Sequence, residues 1–263
     1  MEFNIDEDFA LLYGIMLGDG CLSLHKKGSK YGKSISITGS LQDDVTFFEN
    51  IIQPLLIKFR GKPTKIKVRS DCRAIEYNFS DVKLFDFIHS IGFPIGKKGT
   101  EIDIHQIFYE KKLMEKVIAG FFATDGSLVL TKNPNKFYPR LEAHAICKKV
   151  IFQICEHLNG LGLEGHVYLC KRNKITSFII SKHKKYRFQF NGKQNLLLFA
   201  NKIGFANPKY NDRFAQFVKY EEEYKRATKG VNSCVINGLS DEINKRFINR
   251  MAAPRIELGT PSS

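Results

Sequence analysis

Two acids, Asp19 and Asp125, each close an apolar stretch and are each followed by glycine. The stretches are Leu11-Leu12-Tyr13-Gly14-Ile15-Met16-Leu17-Gly18-Asp19-Gly20 and Val117-Ile118-Ala119-Gly120-Phe121-Phe122-Ala123-Thr124-Asp125-Gly126, with the acids 106 residues apart. Both read as an apolar helix with the acid at its C-terminal end. There the macrodipole is negative and the last carbonyls lack partners, so a carboxylate costs about 0.3–1 kcal/mol unless a cation is near. Carboxylates beside free carbonyl oxygens form the hard, oxygen-only surroundings that Mg2+ prefers. One such ending is common; its repetition is the informative part.

The helices that carry these acids share a second feature. Gly14 and Gly18 lie four apart, as do Gly120 and Thr124, so each pair occupies one helical face. Faces of small residues let two backbones approach closely, which would bring Asp19 and Asp125 together at the base of a helix pair. Gly20 and Gly126 suit the left-handed residue that often closes a helix.

The elements around each acid follow one order. The first helix is expected over 8–20. Strands follow over 21–26 and 34–38, where Ser34-Ile35-Ser36-Ile37-Thr38 alternates with period two, joined by the basic turn Lys27-Gly28-Ser29-Lys30-Tyr31-Gly32-Lys33. Residues 41–60 return to helical spacing, with Pro54 kinking or breaking the helix. Strands over 65–69 and 74–79 precede a helix over 82–91, stopped by Gly92 and Pro94. The second half repeats this order: a helix to Gly126, strands over 127–131 and 138–146, a helix over 148–161, strands over 165–172 and 177–191, and a helix over 194–203. Ile91-Gly92-Phe93-Pro94-Ile95-Gly96-Lys97 aligns with Ile203-Gly204-Phe205-Ala206-Asn207-Pro208-Lys209, 112 residues later. A period of this length marks a duplicated domain and not a solenoid. The expected divisions are a first half over 1–95, a linker over 96–110, a second half over 111–228 with a closing helix from 213, and a poorly ordered extension over 229–263.

Composition narrows the partner. The formal charge of +14 favours a polyanion. No apolar run reaches the ~18 residues of a membrane span, and the start Met1-Glu2-Phe3-Asn4-Ile5-Asp6-Glu7-Asp8 is too acidic for a secretory signal or transit peptide. The six cysteines are scattered with no CxxC pair, against a zinc ribbon or a disulfide framework and in favour of an intracellular, reducing compartment, organellar or prokaryotic. From Gly165 to Asn211 there is no acid, while ten Lys or Arg occur. In Tyr186-Arg187-Phe188-Gln189-Phe190 the alternation gives one apolar strand face and one face of donors. Arg suits guanine and Gln suits adenine. His25, His144, His166 and His183 show no ligand spacing and read as ordinary strand residues.

The two stretches resemble the LAGLIDADG motif, as Leu12-Tyr13-Gly14-Ile15-Met16-Leu17-Gly18-Asp19-Gly20 and Ile118-Ala119-Gly120-Phe121-Phe122-Ala123-Thr124-Asp125-Gly126. Over residues 5–228 the chain is similar to monomeric, two-motif LAGLIDADG homing endonucleases. The resemblance implies an α+β fold of two pseudo-symmetric αββαββα halves whose antiparallel sheets form a DNA-binding saddle. It implies a site-specific double-strand DNA endonuclease with a long target site, and Mg2+ or another divalent ion held by Asp19 and Asp125 with the carbonyls of Gly18 and Thr124. Thr124 departs from the usual Gly or Ala, which is expected to loosen the helix contact. The family places a basic residue near the scissile phosphate after the third helix of each half; Lys97 or Lys98, and Lys209, match that place, against the plainer reading of lysines that satisfy helix-end carbonyls. Gln42, after the second strand, matches a water-organising residue, against the plainer reading of a helix N-terminal residue.

The expected DNA contacts are Lys26, Lys30, Lys33, Lys65, Lys67 and Arg69 in the first half. In the second they are Arg140, Lys171, Arg172, Lys182, Lys184, Lys185, Arg187 and Gln189. Competing readings are an intron RNA maturase, a DNA-binding protein that does not cut, and a basic ribosome-associated protein. Retention of both acids favours cutting. An intein is disfavoured by the start at Met1 and the lack of a terminal His-Asn.

Overall fold

The computed structural model describes residues 3–27, 30–133, 136–170 and 184–227. The chain divides into two compact units, Met1–Glu221 and Glu222–Ser263, and the elements below are those of the first, with α9 alone running on into the second. Helix α1 (Glu7–Asp19) starts where the Asp6 carboxylate accepts the Phe9 N–H at 2.9 Å. It is apolar nearly all round, from Phe9 to Leu17, which is the signature of a helix covered on every side. Its partner is α6 (Met114–Asp125), equally buried from Val117 to Ala123.

The glycines explain why these two helices meet backbone to backbone. A Cβ on Gly14 would fall on the Val117 carbonyl, and one on Gly120 would fall on the Leu11 carbonyl and lie 3.0 Å from Gly14 Cα. Nearer the acids, a Cβ on Gly18 would collide with the Thr124 hydroxyl. Thr124 therefore does not loosen the contact as expected. Its side chain fills the space Gly18 leaves, and its hydroxyl is tied to the Phe121 carbonyl at 2.9 Å.

Two four-stranded antiparallel sheets follow the two helices. The first holds β1 (Gly20–Lys27), β2 (Lys30–Ser40), β3 (Lys67–Arg69) and β4 (Ala74–Phe79) in the order β1-β2-β4-β3. The second holds β5 (Gly126–Asn133), β6 (Lys136–Ala145), β7 (Gly165–Leu169) and β8 (Tyr186–Asn191) in the order β5-β6-β8-β7. The identical order makes the halves structural repeats. Alternation assigns the faces: Leu22, Ile35, Ile37, Ile75 and Tyr77 are buried in the first sheet, and Leu128, Leu141, Phe188 and Phe190 in the second. The intervening residues form an open, polar face on each sheet.

Several expectations are corrected. Gly20 and Gly126 are extended, with φ of −86° and −79°, because β1 and β5 begin there without a turn. Glycine is needed instead for clearance: a Cβ on Gly20 would meet Met16, and one on Gly126 would meet Phe122. The 27–33 turn is mostly strand, so the first hairpin reaches further than the sequence suggested. Residues 41–60 divide into α2 (Val45–Phe47), a wide turn over Phe48–Ile52 and α3 (Gln53–Arg60). Pro54 has no N–H and its ring crowds the preceding turn, and the wide turn relieves both. Strand β3 starts at Lys67, because Gln53 holds the chain to α3 as far as Thr64, accepting its N–H at 3.1 Å and donating to its carbonyl at 3.0 Å. The 177–191 strand is described only from Lys184, and β8 begins at Tyr186.

Helices α4 (Val82–Ser90), α7 (Lys148–Gly160) and α8 (Lys193–Lys202) cover the buried sheet faces. Gly92, at φ 86°, turns the chain away after α4. Residues 96–113 cross between the halves through α5 (Ile107–Glu110). Ile104 and Phe108 are buried, the Phe108 ring lies 4.6 Å from Tyr13, and Gln153 pairs with both backbone groups of Ile104 at 2.9 and 3.1 Å. Helix α9 (Pro208–Ala227) starts earlier than expected, with proline at its first position. Among the described residues no helix is long and apolar enough to cross a membrane.

Candidate active site

Asp19 and Asp125 end the paired helices, and the close approach of the glycine faces brings them together. The side-chain oxygen of Asp125 lies 3.2 Å from where a Cβ of Gly18 would stand. Burial pushes the Asp19 carboxyl up to about 6; Lys98 opposes the shift, Asp44 adds to it and Lys209 opposes it. Asp125 is pushed up to about 7, first by burial and next by Asp19, with Lys98 and Lys185 opposing. Two half-buried acids facing one another demand positive charge.

Lys98 supplies part of it. Its ammonium donates to the carbonyls of Met16 at 3.2 Å, Leu17 at 2.8 Å and Gly18 at the end of α1, of which the Met16 carbonyl also takes the Gly20 N–H. Burial lowers the Lys98 pKa, while Asp125 and Asp19 push it back up. The backbone aims this side chain. Ile95 bridges Leu22, the Gly96 N–H donates to the Leu22 carbonyl at 2.6 Å, and Gly96 and Gly99 take φ of 81° and 66°. Only glycine enters that region cheaply. Lys97 is exposed on the far side of this turn, so of the two lysines it is Lys98 that reaches the acids.

The second half ends differently. Lys209 lies 2.8 Å from the Asp44 carboxylate, and its own N–H donates to the Asn207 side chain at 3.2 Å. The Asn207 amide donates to Asp44 at 2.9 Å and to the Ala123 carbonyl at 3.0 Å, near the end of α6. The Tyr210 hydroxyl donates to the Gly126 carbonyl. Gln42 is exposed, and its N–H takes the Ser40 hydroxyl at 3.2 Å; Asp44, two residues on, is the side chain that turns inward.

Sequence reasoning missed Asp44, Asn207 and Tyr210. Asp44 stands directly before the apolar residues of α2, the place of a helix-capping acid, and that was the available signal. Asn207 lies inside the aligned repeat, but nothing in its type announced a bridging role.

The donor set suits a divalent ion. Two carboxylates and helix-end carbonyls are all oxygen, and the carbonyls of α1 already hold one cation, the Lys98 ammonium. Among the described residues no group of three or more His, Cys, Asp and Glu could hold a metal. Any ion here would therefore depend on the acid pair and backbone oxygens. Gly18 O is one of those that Lys98 occupies; at Thr124 it is the hydroxyl whose partner is defined.

The expected DNA contacts divide by sheet face. Register places Lys67 and Arg69 on the open face of the first sheet, and Arg140, Arg187 and Gln189 on that of the second. Lys33 is a correction: period two puts it beside Ile35 on the helix side, where it pairs with Asp86 and lies over the Phe85 ring. Lys26 shares that parity, exposed near the hairpin end beyond the helices. Lys30 opens β2, and Lys65 is exposed just ahead of β3. Lys184 and Lys185 are exposed ahead of β8, while Lys171, Arg172, Lys182 and His183 lie outside the described residues.

Glu142, unforeseen, gathers two of the arginines. It lies 3.0 Å from Arg140 and 3.4 Å from Arg187, whose guanidinium also stands over Tyr168. Gln189 donates to Asn191 at 2.9 Å. His144 is on the same face, its pKa lowered by burial, and is part of no metal cluster.

Paired motif helices, two saddle-forming sheets and a central acid pair define a known fold. No family model matches the chain. An uncharacterized protein of Methanocaldococcus jannaschii is 26% identical over 185 residues, 67% of this chain, and the match spans 63% of that protein's length. Among solved structures, an I-DmoI variant bound to its nicked target DNA in the presence of manganese aligns with a TM-score of 0.55 and 19% identity, covering 77% of this chain and 97% of that one. The LAGLIDADG homing endonuclease I-LtrWI bound to target DNA aligns at 0.55 and 11%, over 94% and 97%. The LAGLIDADG meganuclease I-AabMI bound to uncleaved DNA aligns at 0.51 and 12%, over 87% and 100%. The chain has the fold of the LAGLIDADG homing endonucleases.

Proposed function

We propose that this chain is a site-specific double-strand DNA endonuclease that hydrolyses phosphodiesters with a divalent ion, Mg2+ by preference. One observation carries the reading: two half-buried acids, one from each repeat, meet at a helix junction between two sheets whose open faces bear Arg and Lys. A purely structural pair would be costly there, because the dipoles and burial both oppose the carboxylate charge.

The proposed division of labour is supported by where these side chains stand. Lys67, Arg69, Arg140, Arg187 and Gln189 face the groove, with Arg reading guanine and Gln reading adenine edges. Asp19 and Asp125 serve as the anionic ligands, and the oxygens ending α1 complete the donor set. When bound, a divalent ion supplies an activated water and stabilises charge at phosphorus and on the leaving oxygen. Lys98 and Lys209 hold positive charge beside the acids, where phosphate charge builds up. Because each repeat supplies one acid and one lysine, a single chain carries both strands' sites, so a monomer suffices. An intron-encoded origin and a role on intron RNA are compatible with the same fold.

A second reading is a nucleic-acid-binding protein or maturase that does not cut. It is favoured by the Lys98 ammonium at the Gly18 carbonyl, a position a metal would share. Incubation with a randomised duplex library and Mg2+, followed by sequencing of cut ends, separates the two. Ends recurring at one long sequence, and lost with chelator, are the expected result; selective binding without ends would establish the second reading.

A further inference from the structure

We propose that Asp44 is a positioning residue that fixes Lys209 across the two halves, so that cleavage of one DNA strand depends on it far more than cleavage of the other. The proposal rests on the endonuclease reading for its consequence, and on geometry for its cause. Asp44 is only 8% exposed, yet it carries a charged side chain. Its Oδ2 accepts the Ser40 N–H at 2.9 Å, which sets the rotamer. Its Oδ1 then takes the Lys209 ammonium at 2.8 Å and the Asn207 amide at 2.9 Å. Both of these partners come from the other repeat, 165 and 163 residues away along the chain.

The position itself makes this use of Asp44 unusual. It is the residue before α2, where an aspartate ordinarily caps the helix by accepting an N–H of the first turn. Here it makes no such bond, and the carboxylate is turned to the other repeat instead.

The second repeat shows what is missing without it. The residue before α7 is Cys147, also without a cap, and its thiol donates to the Ile102 carbonyl at 2.7 Å. No carboxylate at that position can hold the other lysine, and Lys98 instead lies on the carbonyls ending α1. The two lysines are thus held by different chemistry: Lys209 by a fixed acid, Lys98 by helix-end carbonyls. An ammonium held at an ion pair and braced by an amide has a defined position before any substrate arrives, which is the condition for pre-organised charge stabilisation.

Asp44→Asn is the informative change. It keeps an oxygen for the Ser40 N–H and removes the charge that holds Lys209. On a supercoiled plasmid carrying the selected site, one strand should be cut about tenfold or more slowly, as expected when a charge-stabilising group is misplaced. The other strand should stay within about twofold, so nicked circles accumulate. Asp44→Asn combined with Lys209→Met should be no slower on that strand than Lys209→Met alone. Equal slowing of both strands, unchanged cutting of both, or additive losses would overturn the proposal. On the free protein, amine-reactive labelling of Lys209 should speed up several-fold in Asp44→Asn while melting shows the fold intact. If the wild-type chain cuts no DNA but this labelling changes, the tether stands and the endonuclease reading fails. If the labelling rate is unchanged, the tether itself is wrong.

Discussion

The ends of α1 and α6 are repeats of one design and are finished differently. At α1 a lysine from the α4–α5 crossing donates to the final carbonyls. At α6 the neutral amide of Asn207 takes the Ala123 carbonyl, and the lysine two residues on is engaged by an acid of the other half. Both finishes answer the same problem, which is orphan acceptors beside a half-buried acid. The charged donor also offsets both acids, since Lys98 opposes the upward shifts of Asp19 and of Asp125. Burial raises both acids, Asp125 to about 7 and Asp19 to about 6; Lys98 opposes both shifts, joined by Lys185 at Asp125 and by Lys209 at Asp19. Duplication therefore preserved the scaffold and let the two charge environments diverge.

The largest expected effect comes from removing either acid. Asp19→Asn or Asp125→Asn should lower cleavage by about a hundredfold or more while DNA binding survives, because the proposed groove contacts lie on the sheets. If each acid serves mainly one strand, the variants nick opposite strands. Strand-resolved cleavage and a binding titration on the same preparations check this. Full cutting by either variant would remove the acids from the chemistry and with it the comparison of the two ends.

Next in size is the helix contact that both ends depend on. Gly14→Ala or Gly120→Ala places a methyl group against a backbone carbonyl of the other helix, which cannot rotate away. Destabilisation of about 3 kcal/mol or more is expected, measured by denaturant unfolding. Gly61→Ala makes a useful contrast: nothing lies within 4 Å of its added Cβ, and only its φ of 70° is unfavourable. Its cost should be about 1 kcal/mol.

Protonation offers a further test of the paired acids at the two ends. Both acids have folded values above the ordinary carboxylate value of 3.8. The folded state therefore holds protons that the unfolded state has released, and stability present below about pH 4 is lost as pH rises through the folded values. Asp125→Asn should raise stability by about 1–3 kcal/mol at pH 8 and by almost nothing at pH 4. Asp19→Asn should gain in the same direction over the same range, because its folded value is raised as well. The Lys98 charge that each acid balances makes both gains smaller than the burial of the acid alone would give. Melting curves of the apo proteins across pH decide the matter. A gain that does not change with pH would mean that the acids are ordinary ionised surface groups.

Much of this organisation was readable from residue types. The acids, the small-residue faces, the duplication and the order of helices and strands were legible because each is a local pattern repeated at a fixed distance. The alternation in Tyr186–Asn191 correctly separated buried Phe188 and Phe190 from Arg187 and Gln189. What was not legible depends on long-range geometry. Asp44 looks like a helix cap until the other repeat is present. Gly20 looks like a left-handed closure until Met16 is seen beneath it. Lys97 and Lys98 are adjacent and alike, and only the turn through Gly96 and Gly99 decides which one reaches the acids. Lys33 reads as part of a basic turn, but the hairpin extends through it and parity sends it to the helix side.

The smallest expected effect concerns the two open sheet faces and separates free cations from engaged ones. Lys184 and Lys185 are exposed in the acid-free stretch, whereas Arg187 is already shared between Glu142 and Tyr168. A cation that meets phosphate releases condensed counterions, and each such contact adds about 0.9 to the slope of log affinity against log salt. Replacing Lys184 and Lys185 with Ala should therefore flatten that slope by up to about 2 and weaken binding to all sequences alike. Arg187→Ala should behave differently. Its charge is partly balanced by Glu142, so the slope should change by less than about 1, while discrimination among bases falls by about 1–3 kcal/mol at one position. Binding titrations over a range of salt, on the target and on a scrambled duplex, measure both quantities at once. An unchanged slope in the double-lysine variant would take this end of β8 out of the interface. A full unit lost with Arg187 would show that Glu142 does not hold it once DNA is bound.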